Sequence, residues 1–284
     1  MKRAAVVIAV LGMCVCGWAQ NKPAEQTPPA GQAAATAPLG KRPPQAKTQP
    51  EFEAYKAAIA LTDPAAVEKA ADDFAAKFPD SELRVVLYKA AMQRYQIANN
   101  ADKMEDMAQK ALTLDPDDPE ALVGVAQVLA ETTHDTDLDK DQKVDQAKKD
   151  AARALVTVDT DVPTAGYPPE KIDQFKRYIK SEAYAILGTL ASNAKNWPEA
   201  ETNLKKSIDV FPEQVDSVAV LRLAVALDMQ NKVPDALKYA NQAVDLTKDR
   251  PDSPAGKAAR AEQDRLTKLS SGTAPGQPVA PQKN

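Results

Sequence analysis

The stretch TTHDTDLDKDQK, residues 132–143, sets aspartates on alternate positions (Asp135, Asp137, Asp139 and Asp141) beside the chain's one histidine, His134. Alternating carboxylates open a calcium loop, because a hard divalent cation collects oxygen ligands from successive odd positions. The rest of such a loop is missing. Counting from Asp135, the sixth position needs Gly for a sharp turn and the twelfth needs Glu for bidentate ligation; they hold Lys140 and Gln146. Lys140 would also put a positive charge inside the ligand ring. A solvated insertion over residues 132–142 explains the same residues more simply. Asp139 is expected to N-cap the next helix, Gln142 to complete a capping box, and Asp141 to sit in the first turn, where a negative charge suits the macrodipole. Val144, Ala147, Ala151, Leu155 and Val158 follow at helical spacing. No metal site is expected.

Catalysis has little to build on. A Ser-His-Asp triad or a His-rich centre would have to recruit His134, and no GxSxG or HExxH accompanies it. The phosphate-cradling GxxxxGK[ST] and GxGxxG patterns are absent too. Carboxylate pairs abound, but 27% of the chain is charged, and on helices such residues are solvated faces. The expectation is a non-enzymatic protein with no catalytic residue and no cofactor. A net charge of -4 and a pI near 5.3 give no basic face for nucleic acid.

What positions these residues is helical. Of 284 residues, 44% are hydrophobic and only 5% aromatic, with 10 Gly; alanine supplies much of the apolar content. Alanine is the best helix former and lets helices approach closely. The ends read differently. MKR, then AAVVIAVLGMCVC, then small residues Gly17 and Ala19 make residues 1–19 a signal peptide. The run falls short of the ~20 apolar residues of a membrane span, so no integral span is expected after cleavage. An uncleaved anchor and lipoprotein processing are the alternatives; Met13 and Val15 precede Cys14 and Cys16 where a lipobox wants Gly or Ala. Cleavage would remove both cysteines, leaving no disulfide or thiolate. The expected location is the periplasm or the periphery of the outer membrane, or outside the cell. Residues 20–49 and 270–284, rich in Pro, Ala and Gln, read as a disordered tether and tail.

Three segments of equal length align without gaps: 88–116 (YKAAMQRYQIANNADKMEDMAQKALTLDP), 184–212 (YAILGTLASNAKNWPEAETNLKKSIDVFP) and 220–248 (VLRLAVALDMQNKVPDALKYANQAVDLTK). Each opens on a large apolar residue, has a polar turn near its middle, and then carries small or apolar residues at helical spacing, such as Ala108 and Ala111, Ala200 and Leu204, Ala240 and Ala243. That is a helix–turn–helix unit. It resembles the tetratricopeptide repeat (TPR) family, whose period is about 34 residues. In the best unit, 181–214, Tyr184 takes the first aromatic position, Leu187 and Gly188 the Leu-Gly pair, Ala200 the small residue of the second helix and Pro212 the terminal proline. Tyr88, Tyr95, Ala111 and Pro116 match in a second unit, and Leu223, Ala224, Leu227, Ala236 and Ala243 in the last, where Lys248 replaces the proline. PEALVGVAQVLAE with VDQAKKDAARAL makes an interrupted unit, and residues 51–83 a first one.

The resemblance implies an all-α fold: a right-handed superhelical solenoid of about five helix pairs with a C-terminal capping helix. Units one to three fall in 50–158, a linker in 159–167, units four and five in 168–250 beginning with one long helix (168–194), and the cap in 251–269. The linker is expected to divide the solenoid into two lobes. The tyrosines and Trp197 read as packing residues. By the same resemblance the first helix of each pair lines a concave face, with Lys89, Gln93, Gln96, Glu120 and Gln127 on one half and Glu182, Thr189, Arg222 and Asp228 on the other. Repeats that clamp a C-terminal carboxylate use Lys, Asn and Arg; here Lys89 and Gln93 are followed by Gly124 and Glu182, so that clamp is incomplete. The implied activity is holding a protein or peptide partner in the cell envelope. The alternatives are a subunit of an outer-membrane assembly complex, since FAAKFPDSEL resembles the first repeats of such proteins, or a periplasmic binder of a small ligand or cation.

Overall fold

A computed structural model describes residues 40–271. Those residues form eleven α-helices: α1 (Gln49–Ile59), α2 (Pro64–Lys77), α3 (Leu83–Ile97), α4 (Ala101–Leu114), α5 (Pro119–Thr132), α6 (Lys140–Thr157), α7 (Pro169–Asn193), α8 (Trp197–Val210), α9 (Ser217–Asp228), α10 (Val233–Leu246) and α11 (Pro254–Ser270). The expected signal peptide, and most of the expected tether and tail, lie outside the described residues. Starts and stops are written locally. Thr48, Asp63, Asn100, Asp118, Asp216 and Ser253 each accept a hydrogen bond from a backbone N–H of the helix they precede. Pro64, Pro119 and Pro198 stand in first turns, where a missing N–H costs nothing.

Each helix packs on its sequence neighbours, and the odd helices also touch one another: α1 on α3, α3 on α5, α5 on α7, α7 on α9, α9 on α11. Two layers result, odd helices in one and even in the other, as in a solenoid of helix pairs. The aligned units share their backbone as well. Asn99, Lys195 and Asn231, one position in the gapless alignment, all lie in the left-handed region at φ 56, 57 and 60. The next residue donates to the carbonyl five residues back in every case: Asn100 to Tyr95 at 3.0 Å, Asn196 to Ala191 at 2.8 Å and Lys232 to Leu227 at 3.0 Å. This is the Schellman closure that satisfies the last carbonyls of a helix. Non-glycine residues adopt that conformation only at a cost, Asn least, so its recurrence marks the turn as built to one design.

Buried apolar side chains form one large cluster from α1 to α7 and smaller ones from α7 to α11. α7 serves both sides, turning Ile179, Ala183, Ile186 and Leu190 to the first and Ala185 and Ala191 to the second. Its close contact with α8 depends on Gly188, where a Cβ would lie 2.6 Å from Cγ of Leu204 and 3.2 Å from that residue's backbone N.

Four expectations need correction. Residues 40–48 are not free tether: they lie along the solenoid, with Ala46 packed against the first core. Residues 159–167 are not a free linker, because Val162 is buried in that core. Asp139 stands at the cap position of α6 but makes no side-chain cap; its backbone (φ -103, ψ 15) is not extended, and its carboxylate pairs with Lys143 at 3.0 Å instead. The insertion is also shorter than expected, since α5 runs through Thr132 and α6 begins at Lys140.

Candidate binding face

The odd-helix layer gathers most of the expected face, but as a self-satisfied polar ladder. From α3, the Nζ of Lys89 reaches Asp118 Oδ2 at 2.8 Å and Glu120 Oε2 at 3.2 Å at the start of α5. Burial works against that ammonium, yet the two carboxylates outweigh it and raise its pKa. One rung along, Nε2 of Gln93 donates to Glu120 Oε1 at 2.5 Å, and Nε2 of Gln96 donates to Gln127 Oε1 at 3.3 Å. Gln127 is itself buried, because α5 is enclosed on every side over residues 121–130. Gly124 permits this: a Cβ there would meet Sδ of Met92 at 2.7 Å. It is a contact between helices, not a gap in a carboxylate clamp.

On the second half, Glu182 and Arg222 are half-buried on α7 and α9. The other two expected residues are not face residues. Thr189 is buried, its Oγ1 donating to the Ala185 carbonyl at 2.8 Å within its own helix. Asp228 is buried too, accepting from Nη2 of Arg265 on α11 at 2.5 Å. The cap helix thus occupies the place where a further odd helix would extend the face.

The repeat positions behave as packing residues with polar attachments. Ala111, Ala200, Leu223, Ala224, Ala236 and Ala243 are fully buried, and Pro116 and Pro212 are exposed just after helix ends. Tyr184 is half-buried, with Lys206 5.3 Å from its ring centroid. Leu187 is half-buried against the first core, and Trp197 packs on the second. Tyr88 and Tyr95 also donate their hydroxyls, to Asp72 at 3.0 Å and to Glu68. Burial, then the neighbouring carboxylate, pushes each phenol up to about 12. Lys110 and Lys103 complete the two groups, 2.7 Å from Asp72 and 2.8 Å from Glu68. The sequence carried a sign of these rungs: Tyr88 and Tyr95, like Lys103 and Lys110, stand seven apart on facing helices.

The aspartate loop is closed by cations of its own. Asp135 pairs with Lys140 at 2.9 Å, and Asp137 and Asp139 with Lys143 at 3.5 and 3.0 Å. Asp137 also accepts from the His134 backbone N–H at 3.1 Å, the chief reason its carboxyl pKa is lowered. Among the described residues no group of three or more His, Cys, Asp or Glu side chains is arranged to hold a metal, and no helix is long and apolar enough to cross a membrane. An apolar groove of about 370 Å³ opens between α1 and α2, lined by alanines, Leu61, Phe74 and Phe78 with Asp73 and Lys77 at its rim.

No family model matches the sequence, and no curated protein matches it. Among solved structures, an assembly chaperone of RpL4 (Acl4, residues 1–338) aligns with 78% of this chain and 99% of its own at 13% sequence identity and a TM-score of 0.39. A likeness of that degree carries no argument about function. The helical-repeat architecture rests on the chain's own packing.

Proposed function

We propose that this chain is a non-catalytic scaffold of tetratricopeptide type, exported to the cell envelope, that holds a protein or peptide partner along its odd-helix face. The observation that carries the reading is the alignment of α3, α5, α7 and α9 in one layer, which places polar side chains in a row that a partner chain can follow. Much of the first half of that row is internally paired, and Gln93, Gln96, Glu182 and Arg222 are half-buried, so each keeps part of its surface exposed along the row. Export is supported by the composition of residues 1–19. The test is affinity purification from crosslinked envelopes with the wild-type chain, with E182K/R222E on the inner layer, and with K148E/K149E on the exposed side of α6. The inner pair should lose proteins that the outer pair retains. Identical recoveries from both would remove the face from consideration.

A further inference from the structure

Residues 40–48 carry a pattern that no repeat explains. This strap crosses three successive turns between helix pairs and meets an acidic group at each. Gly40 lies against the α6–α7 turn, where a Cβ would be 2.5 Å from Cγ2 of Thr164 and 2.9 Å from the Val162 carbonyl. Lys41 bridges that turn to the next, 3.6 Å from Asp161 and 2.6 Å from Asp115 in the α4–α5 turn. Arg42 reaches Glu82 in the α2–α3 turn at 2.5 Å, and the Gln45 backbone N–H donates to the same carboxylate at 3.2 Å. Lys47 donates to the Asp80 carbonyl at 2.7 Å. The dimensions agree. Extended chain advances ~3.1 Å per residue, so residues 40–47 span about 22 Å, two steps between packed helices ~10 Å apart. Pro43 and Pro44 keep the segment extended and remove two N–H groups that would otherwise need partners.

We propose that the acidic turn edge of Glu82, Asp115 and Asp161 is a docking strip for basic, proline-containing extended segments, and that residues 40–47 occupy it in cis until a partner's segment of the same character displaces them. The strap shows which chemistry the strip accepts. The strap's cations remain 42% (Lys41) and 59% (Arg42) exposed, against carboxylates 18% (Asp115), 24% (Asp161) and 41% (Glu82) exposed; ion pairs whose cation stays in water are weak and screened by salt, so the strap can yield. Its advantage is tethering, which gives a cis segment an effective concentration of order millimolar. The strip lies at the turns, apart from the odd-helix row, so its test does not depend on the function proposed above.

The experiment titrates a fluorescent peptide, GKRPPQAK, with three full-length chains: wild type, K41E/R42E, and K41E/R42E with D115K and E82K. Reversing the strap's charges should free the strip. The K41E/R42E chain should bind the peptide at least tenfold more tightly than wild type, with affinity falling as salt rises, and reversing the strip should abolish binding. Hydrogen exchange on K41E/R42E should show residues 40–47 losing protection while α2 to α7 keep theirs, which separates a released strap from an unfolded chain. Equal binding by wild type and K41E/R42E, or none by either, would overturn the proposal. So would a wild-type dimer that K41E/R42E dissolves, because the strip would then hold a second copy's strap.

Discussion

At the residue scale, charge pairs in this protein differ by how far water is excluded, and Glu201 is the most instructive. It lies on α8 with its side chain 14% exposed, and it collects Lys205 at 2.7 Å, Lys232 at 2.6 Å and Nε2 of Gln230 at 2.8 Å. Burial opposes its charge, but the hydrogen bonds from Lys205, Lys232 and Gln230 prevail and lower its pKa to about 2. A carboxyl whose folded pKa is depressed adds stability above its unfolded pKa and loses it as pH falls toward the folded one. The contribution should therefore be complete at pH 7, at most about 3 kcal/mol from the size of the shift and less where water screens the pairs, and fade between about pH 5 and pH 2. Urea midpoints of wild type and Glu201→Gln should differ at pH 7 and converge by pH 2. A gap independent of pH would mean that Glu201 acts through packing alone. Nothing in the sequence singled out this residue. Lys205 is visible as an i, i+4 neighbour, but Gln230 and Lys232 arrive from the α9–α10 turn, and a contact across repeats has no local signal.

At the element scale, boundaries were legible because caps, prolines and periodicity act within a few residues. The long helix expected over 168–194 is α7, and the helical spacing of Ile172, Phe175, Ile179, Ile186 and Leu190 marks its core side. The strap was illegible for the opposite reason. Its composition is that of a disordered segment, and the carboxylates that hold Lys41, Arg42 and Gln45 lie 37 or more residues away. The cap helix shows a similar blind spot. α11 reads as polar with few apolar anchors, yet Glu262 is fully buried. Arg265 binds it at 3.0 Å through both Nε and Nη2 and reaches Asp228 on α9 at 2.5 Å. Removing one member of a buried ionic group strands the others, typically at a cost of 3–5 kcal/mol, whereas replacing the whole group with apolar residues is often neutral. Arg265→Met should therefore destabilise the protein by about that amount, and D228L/E262L/R265M together by much less. Thermal melts of the two variants decide it. A single variant as stable as wild type would show that water reaches the group.

At the scale of the whole molecule, the repeat was readable because a solenoid repeats its contacts as well as its sequence. The gapless alignment that paired residues 99, 195 and 231 also paired their left-handed backbones, so register and turn geometry agree. What the alignment could not supply was the depth of the face. The concave surface was expected to present Gln127, Thr189 and Asp228, but enclosure of α5 and docking of α11 depend on how tightly successive helices close, which no single unit records. A chain of this kind has stability close to a sum of local terms, each helix pair contacting only its neighbours. Gly188 allows that idea to be tested. Leucine there must push into Leu204 and toward its backbone N, 2.6 and 3.2 Å from where the first carbon would lie, and overpacking of a filled contact costs roughly 1–3 kcal/mol. In Gly188→Leu, amides of residues 184–212 should lose hydrogen-exchange protection, while those of 88–115 keep most of theirs. The strap reaches only the turns before α7, so it gives damage at the α7–α8 contact no route to α3 and α4. A uniform loss would mean that the core clusters on either side of α7 unfold as one unit through it. No loss at all would mean that α8 can move off α7 without cost, against the packing that Ala200 and Leu204 display.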